Sequence, residues 1–114
     1  MSRDLLLLLQ PGFLDPAYPG ERFVCPHGVS IEGLLASDPV RSTRLDIKRV
    51  PFARPRTEVI AALDDQHQGL PALVFGSEYP TPDDALKLGS TRYVTDPERI
   101  LALLAERHGF PKLH

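Results

Sequence analysis

The chain has one cysteine, one methionine and no tryptophan among its 114 residues. A single cysteine cannot close a disulfide within the chain, so a reducing, cytoplasmic setting is the expectation. It also cannot supply both thiols of a dithiol exchange site. A basic excess is missing too: the net charge of −2 offers no face for nucleic acid or an anionic membrane. No apolar run approaches the roughly 20 residues of a membrane helix. The five leucines Leu5 to Leu9 are shorter than a signal-peptide core, and no small-residue cleavage site follows them. Cys25, His27, His67 and His108 offer one Cys-x-His spacing without a second pair, so no metal site is expected.

What is present is proline, twelve of them, which enforces turns and short elements rather than a helical bundle. The length fits one domain spanning residues 1–114. Leu5 to Leu9, bounded by Arg3-Asp4 and Pro11-Gly12, reads as a strand buried on both faces. Pro11 to Arg22 is a long loop whose Phe13, Leu14 and Tyr18 are expected to pack over the domain near the cysteine. Ile31, Leu34 and Leu35 give Val29 to Ser37 a helical stripe, ended by Asp38-Pro39. Leu45 to Phe52 alternates as an edge strand, and its slip at Arg49 calls for a bulge or an early end. Val59, Ile60 and Leu63 mark a helix over Arg56 to Asp65. Ala72 to Phe75 and Arg92 to Thr95 are short strands, with residues 77–91 as a long connection between them. Asp96 to His108 is the last helix. Thr95 or Asp96 caps it, Glu98 can complete a capping box with Thr95, and Gly109 and Pro111 stop it. The first half is then a βαβ unit with parallel strands, and the second half a ββα unit.

Three motifs in this order resemble the thioredoxin-like superfamily, nearest the glutaredoxins and the N-terminal domains of glutathione transferases. Cys25-Pro26-His27-Gly28 stands where glutaredoxins have Cys-Pro-Tyr-Cys, Leu70-Pro71 stands where the superfamily has its cis-proline, and Thr95-Asp96-Pro97-Glu98 stands at the turn into the last helix. The chain also looks like a small family of bacterial thioredoxin-like domains of unknown function. The resemblance implies an α/β, thioredoxin-like fold: a four-stranded mixed sheet with helices on both faces. It implies glutathione or a similar small thiol as co-substrate, with no resident cofactor. Pro26, Leu70, Pro71, Thr95 and Asp96 would contact that ligand, and Cys25 and His27 would carry the chemistry. A full transferase adds an all-helical second domain, which these residues do not contain.

Each residue also has a structural reading. Cys25 at a helix N-terminus suits a thiolate, yet free cysteines are among the most buried residues. His27 can stabilise that thiolate or simply be an exposed spacer. Thr95 and Asp96 can be caps and nothing else. Lys48, Arg49, Arg54 and Arg56 form a basic cluster that suits an anion or a solvated face. Gly28 replaces a resolving cysteine, which leaves monothiol exchange. The expectation is therefore a glutaredoxin-like monothiol domain exchanging disulfides through Cys25. The alternatives are a catalytically silent module for protein contacts and a stand-alone transferase-like domain.

Overall fold

The structure, a computed structural model, describes residues 2–114. In chain order its elements are β1 (Leu5–Leu9), α1 (Val29–Ser37), α2 (Pro39–Ser42), β2 (Asp46–Val50), α3 (Thr57–Ala62), β3 (Ala72–Val74), β4 (Leu86–Leu88), β5 (Thr91–Val94) and α4 (Pro97–His108). The strands form one open mixed sheet in the order β2-β1-β3-β5-β4. β1 and β2 are parallel, from Leu5 opposite Asp46 to Leu9 opposite Val50. The β1–β3, β3–β5 and β4–β5 pairs are antiparallel.

The five leucines show why a mediocre strand former makes a central strand here. Leu6 and Leu8 face one side, packed with Ile31, Leu34 and Leu35 of α1 and Ile100, Leu103 and Leu104 of α4. Leu7 faces the other side, with Val50, Ala72 and Val59 of α3. All three leucines are essentially inaccessible to solvent, each contributing about 1.5–3 kcal/mol of apolar burial. Burial on both faces overrides intrinsic propensity. Helices thus cover both faces, as expected.

The sheet has five strands, not four. The extra one is β4, within the stretch read as a connection. Leu86 and Leu88 flank Lys87, and Gly89-Ser90 forms a two-residue turn into β5, with Gly89 at φ 59°. That alternation and turn were a hairpin signal in plain view. The strand expected over Leu45 to Phe52 ends early, at Val50, with regular pairing throughout. Arg49 breaks the apolar alternation because it turns to α1 and forks onto Glu32 at 2.7 and 2.9 Å. The helix expected over Arg56 to Asp65 is α3, which is shorter, running from Thr57 to Ala62. Asp96 alone caps α4, accepting the Arg99 N–H at 3.1 Å, so no Thr95 capping box forms. Gly109, at φ 75°, ends that helix in the left-handed conformation glycine favours.

In the long loop after β1, Phe13 stacks on Phe52 (centroids 4.6 Å apart, planes 2° apart) and bridges to Phe23. Leu14 is exposed and does not pack down as expected, while Tyr18, also largely exposed, meets the Phe23 ring edge-on with centroids 5.8 Å apart. No helix among the described residues is long and apolar enough to cross a membrane.

Candidate functional site

Strand directions sort the loops into two groups. β2 and β5 run the same way as β1, and β3 runs against it. The segments after β1, β2 and β5, and the one before β3, therefore all emerge at one end of the sheet. That end receives Cys25, Arg54, Arg56, His67, Leu70-Pro71 and Thr95. In open α/β sheets, ligands bind beyond the carboxyl ends of the parallel strands.

Cys25 precedes α1 by one turn. Its carbonyl oxygen accepts the N–H groups of Gly28 (3.1 Å) and Val29 (3.0 Å), so the Cys25-Pro26-His27-Gly28 turn runs directly into the helix. The thiol is half-buried and free, while Pro26 and His27 are exposed. Cys25 lines a small apolar cleft of about 140 Å³ with Leu8, Leu9, Val24, Gly28 and Val29.

Arg56 is nearly buried, at 8% exposure, yet it meets no carboxylate among the described residues. Its guanidinium donates to the backbone carbonyls of Phe52 (2.8 and 3.1 Å) and Gln68 (2.9 Å) and lies over the Phe52 ring, 5.6 Å from its centroid. Burial pushes its pKa down and Arg54 adds to that, whereas the charge of Cys25 acts in the opposite direction. The basic cluster read from the sequence does not act as one group, since Arg49 belongs to Glu32 and Arg56 to the loop carbonyls.

Leu70, Pro71 and Thr95 share a second cleft, of about 380 Å³, with Arg54, His67, Gln68, Leu86 and Tyr93. The Leu70–Pro71 bond is cis, as is Arg54–Pro55. Neither Pro26 nor Asp96 lines this cleft, and Asp96 is committed to its cap. Cys25 and Leu70-Pro71 thus line different clefts at the same end of the sheet. Arg56 is bonded to Gln68, which lines the second cleft.

Sequence reasoning weighed His67 only as a metal ligand. Its Nδ1 lies 2.6 Å from Asp64 Oδ1. A carboxylate only accepts, so Nδ1 carries the hydrogen and Nε2 is left without a partner among the described residues. This hydrogen bond to His67 holds the Asp64 carboxyl below the usual carboxylate range. The available signal was the polar run Asp64-Asp65-Gln66-His67-Gln68 directly before Gly69-Leu70-Pro71. Among the described residues no three His, Cys, Asp or Glu side chains gather to hold a metal, and His108 lies at the opposite end of the sheet.

That opposite end holds a second cluster the sequence reading missed. Asp4, fully buried, accepts from Arg107 Nε and Nη2 (2.8 and 2.9 Å), from His108 Nε2 (2.8 Å) and from the Gly76 N–H (2.9 Å). Burial pushes the Asp4 carboxyl up, but His108, Arg107 and Gly76 together hold it well below the usual range. Gly76 must be glycine, because a Cβ there would collide with the backbone carbonyls of Ser2 and Arg3. Four donors complete this fully buried carboxylate, so the cluster reads as a structural clamp.

A family model described as "Protein of unknown function (DUF3088)" matches residues 3–112. No curated protein and no solved structure matches the chain.

Proposed function

The chain belongs to the DUF3088 family, and from that premise we propose that it is a glutaredoxin-like monothiol domain of thioredoxin-like topology. It binds glutathione or a similar small thiol and exchanges disulfides through Cys25. The observation that carries the reading is the convergence of Cys25, Leu70-Pro71 and Thr95 on one end of the sheet, in an element order that matches the resemblance apart from the added edge strand β4 and the short helix α2.

In the mechanism, the Cys25 thiolate attacks one sulfur of oxidised glutathione. A Cys25–glutathione disulfide forms, and one glutathione leaves as thiolate. A second thiol then attacks the mixed disulfide and returns Cys25. Arg56 supports the thiolate by charge, and the dipole of α1 presents its positive end to the same turn. His27, exposed in the turn, is the nearer titratable neighbour in sequence and a candidate proton donor to the departing sulfur. The backbone at Leu70 offers an extended ligand its strand-like partner.

The test is protection. Reduced glutathione at millimolar concentration should slow alkylation of Cys25, whereas a thiol-free tripeptide of the same charge should protect less. Equal alkylation with and without either peptide contradicts the reading.

One observation favours a second reading, a silent module for protein contacts. Val24 and Val29, which line the Cys25 cleft, are each about half exposed at 52% and 51%, and Leu14 and Tyr18 from the same loop are exposed as well. Such a patch suits an apolar protein surface. Unprotected Cys25 together with concentration-dependent self-association or capture of a defined partner would favour it.

A further inference from the structure

The sheet has β1 on one side of β2 and no strand on the other. Asp46 donates its N–H to the Asp4 carbonyl, and the Val50 carbonyl accepts the Gln10 N–H. Residues 46, 48 and 50 thus turn their backbone groups inward to β1. The N–H and C=O groups of Ile47 and Arg49 point outward, where they meet no partner among the described residues. Five regularly paired residues without proline or bulge make an edge that can still accept a strand. The other edge strand, β4, has only three residues. Beside the β2 edge, on the α1 face, lies a groove of about 330 Å³ with Leu35, Ala36, Pro39 and Ile47 as its apolar lining. On the opposite face Asp46 and Lys48 are exposed. Asp46 has one long ion pair, to Arg3 at 3.5 Å. Arg49 is taken by Glu32, while Lys48 meets no carboxylate among the described residues.

We infer that the β2 edge pairs with the β2 edge of a second copy of this chain, antiparallel about a two-fold axis at Ile47. Outward-facing residues must oppose each other for the backbones to bond, which leaves three symmetric registers. An axis at Lys48 sets Lys48 directly against the partner's Lys48, a destabilising pair of like charges. An axis at Arg49 sets the two Arg49 residues together and Lys48 against the partner's Val50. An axis at Ile47 sets Asp46 against the partner's Lys48, and does so twice. Those are non-hydrogen-bonded pairs, in which side chains stand closest. In the same register each Ile47 N–H donates to the partner's Ile47 carbonyl, and the two Ile47 side chains meet between the two grooves. The charge pattern of β2 is thus complementary to itself, which selects a second copy over an unrelated strand. The contact is small, so the association is weak and concentration-dependent. It does not rest on the exchange at Cys25.

The experiment is sedimentation velocity with charge reversal. Wild-type protein taken from about 5 to 500 µM should pass from monomer to dimer. Asp46→Lys and Lys48→Asp, both at exposed positions, each turn two attractive pairs into two repulsive ones. Each should weaken the dimer at least about fivefold, with circular dichroism unchanged. An equimolar mixture of the two variants should recover the dimer, because the heterodimer restores both opposite-charge pairs. The double variant Asp46→Lys/Lys48→Asp should pair with itself as the wild type does. A wild type that stays monomeric throughout overturns the pairing and makes Lys48 a guard that keeps the edge free. A dimer that either single substitution leaves intact overturns it too, and so does a mixture that associates no better than its components. The contact would then lie elsewhere, as at the exposed Val24 and Val29.

Discussion

The two ends of the sheet each bury an arginine, and they satisfy it in opposite ways. At the end where β1 begins, Arg107 forks onto the fully buried Asp4, with His108 and the Gly76 N–H completing the carboxylate. At the end where β1 finishes, Arg56 has backbone carbonyls only among the described residues, and burial pushes its pKa down. A carboxylate beside a buried guanidinium locks structure by completing both partners. A guanidinium without one keeps positive potential for a group that becomes charged in a reaction. The same residue type therefore clamps one end of this fold and leaves the other end chemically open.

The sharpest way to break the comparison is to remove the clamp. Asp4→Ala should cost about 3–5 kcal/mol in urea unfolding, because Arg107 would be left buried and unpaired. Cys25 chemistry in the folded fraction should be unchanged. A loss below about 1 kcal/mol would show that the cluster does not clamp the fold. The same cluster gives a pH signature. The Asp4 pKa is lowered in the folded state, so its stabilisation is complete above the ordinary aspartate value of about 3.9 and is lost as pH falls below it. Acid unfolding of wild type should steepen in that range, and Asp4→Ala should be flatter.

These two ends also differ in how legible they were in the sequence. The open end was readable because Cys25-Pro26, Leu70-Pro71 and Thr95-Asp96 are local motifs, each sitting at the border of an element whose apolar pattern is clear. The buried stripe of α4 and the double-faced burial of Leu5 to Leu9 were readable for the same reason. The clamp was not, since Asp4, Gly76, Arg107 and His108 are separated by up to 104 positions and only the fold joins them. Asp4 looked like a polar flank of a strand, and His108 like the last residue of a helix. β4 was less legible because it is a three-residue edge strand with no buried face, its Leu86 and Lys87 both exposed. The role of Arg56 was hidden because nothing in a sequence shows which arginine a loop will wrap.

The open end offers a smaller effect. Arg56→Leu should cost about 1–3 kcal/mol, through the carbonyls of Phe52 and Gln68 left unsatisfied. It should also slow alkylation of Cys25 at neutral pH, which Asp4→Ala should not. Equal alkylation rates in Arg56→Leu and wild type would remove the arginine from the account of the thiol.

The smallest effect on stability belongs to Gly28→Cys, which asks only about geometry. A Cβ at residue 28 would stand 3.6 Å from the Cys25 Cβ and 3.8 Å from its sulfur. The roughly 3.5–4.5 Å between Cβ atoms in disulfides includes that spacing. The variant should close an internal disulfide under mild oxidation, read as zero free thiols, with dithiol reductase activity that a single thiol cannot supply. Two free thiols would count against the site geometry.

The central claim is that the open end performs disulfide exchange at Cys25. It is tested most directly by intact-mass measurement of the wild-type protein after incubation with oxidised glutathione at neutral pH, with Cys25→Ser alongside. The account predicts one glutathione adduct on the wild type, located on Cys25 and released by reduced glutathione, and none on Cys25→Ser. A wild-type protein that stays unmodified, while a denatured sample of it takes up the adduct, would contradict it.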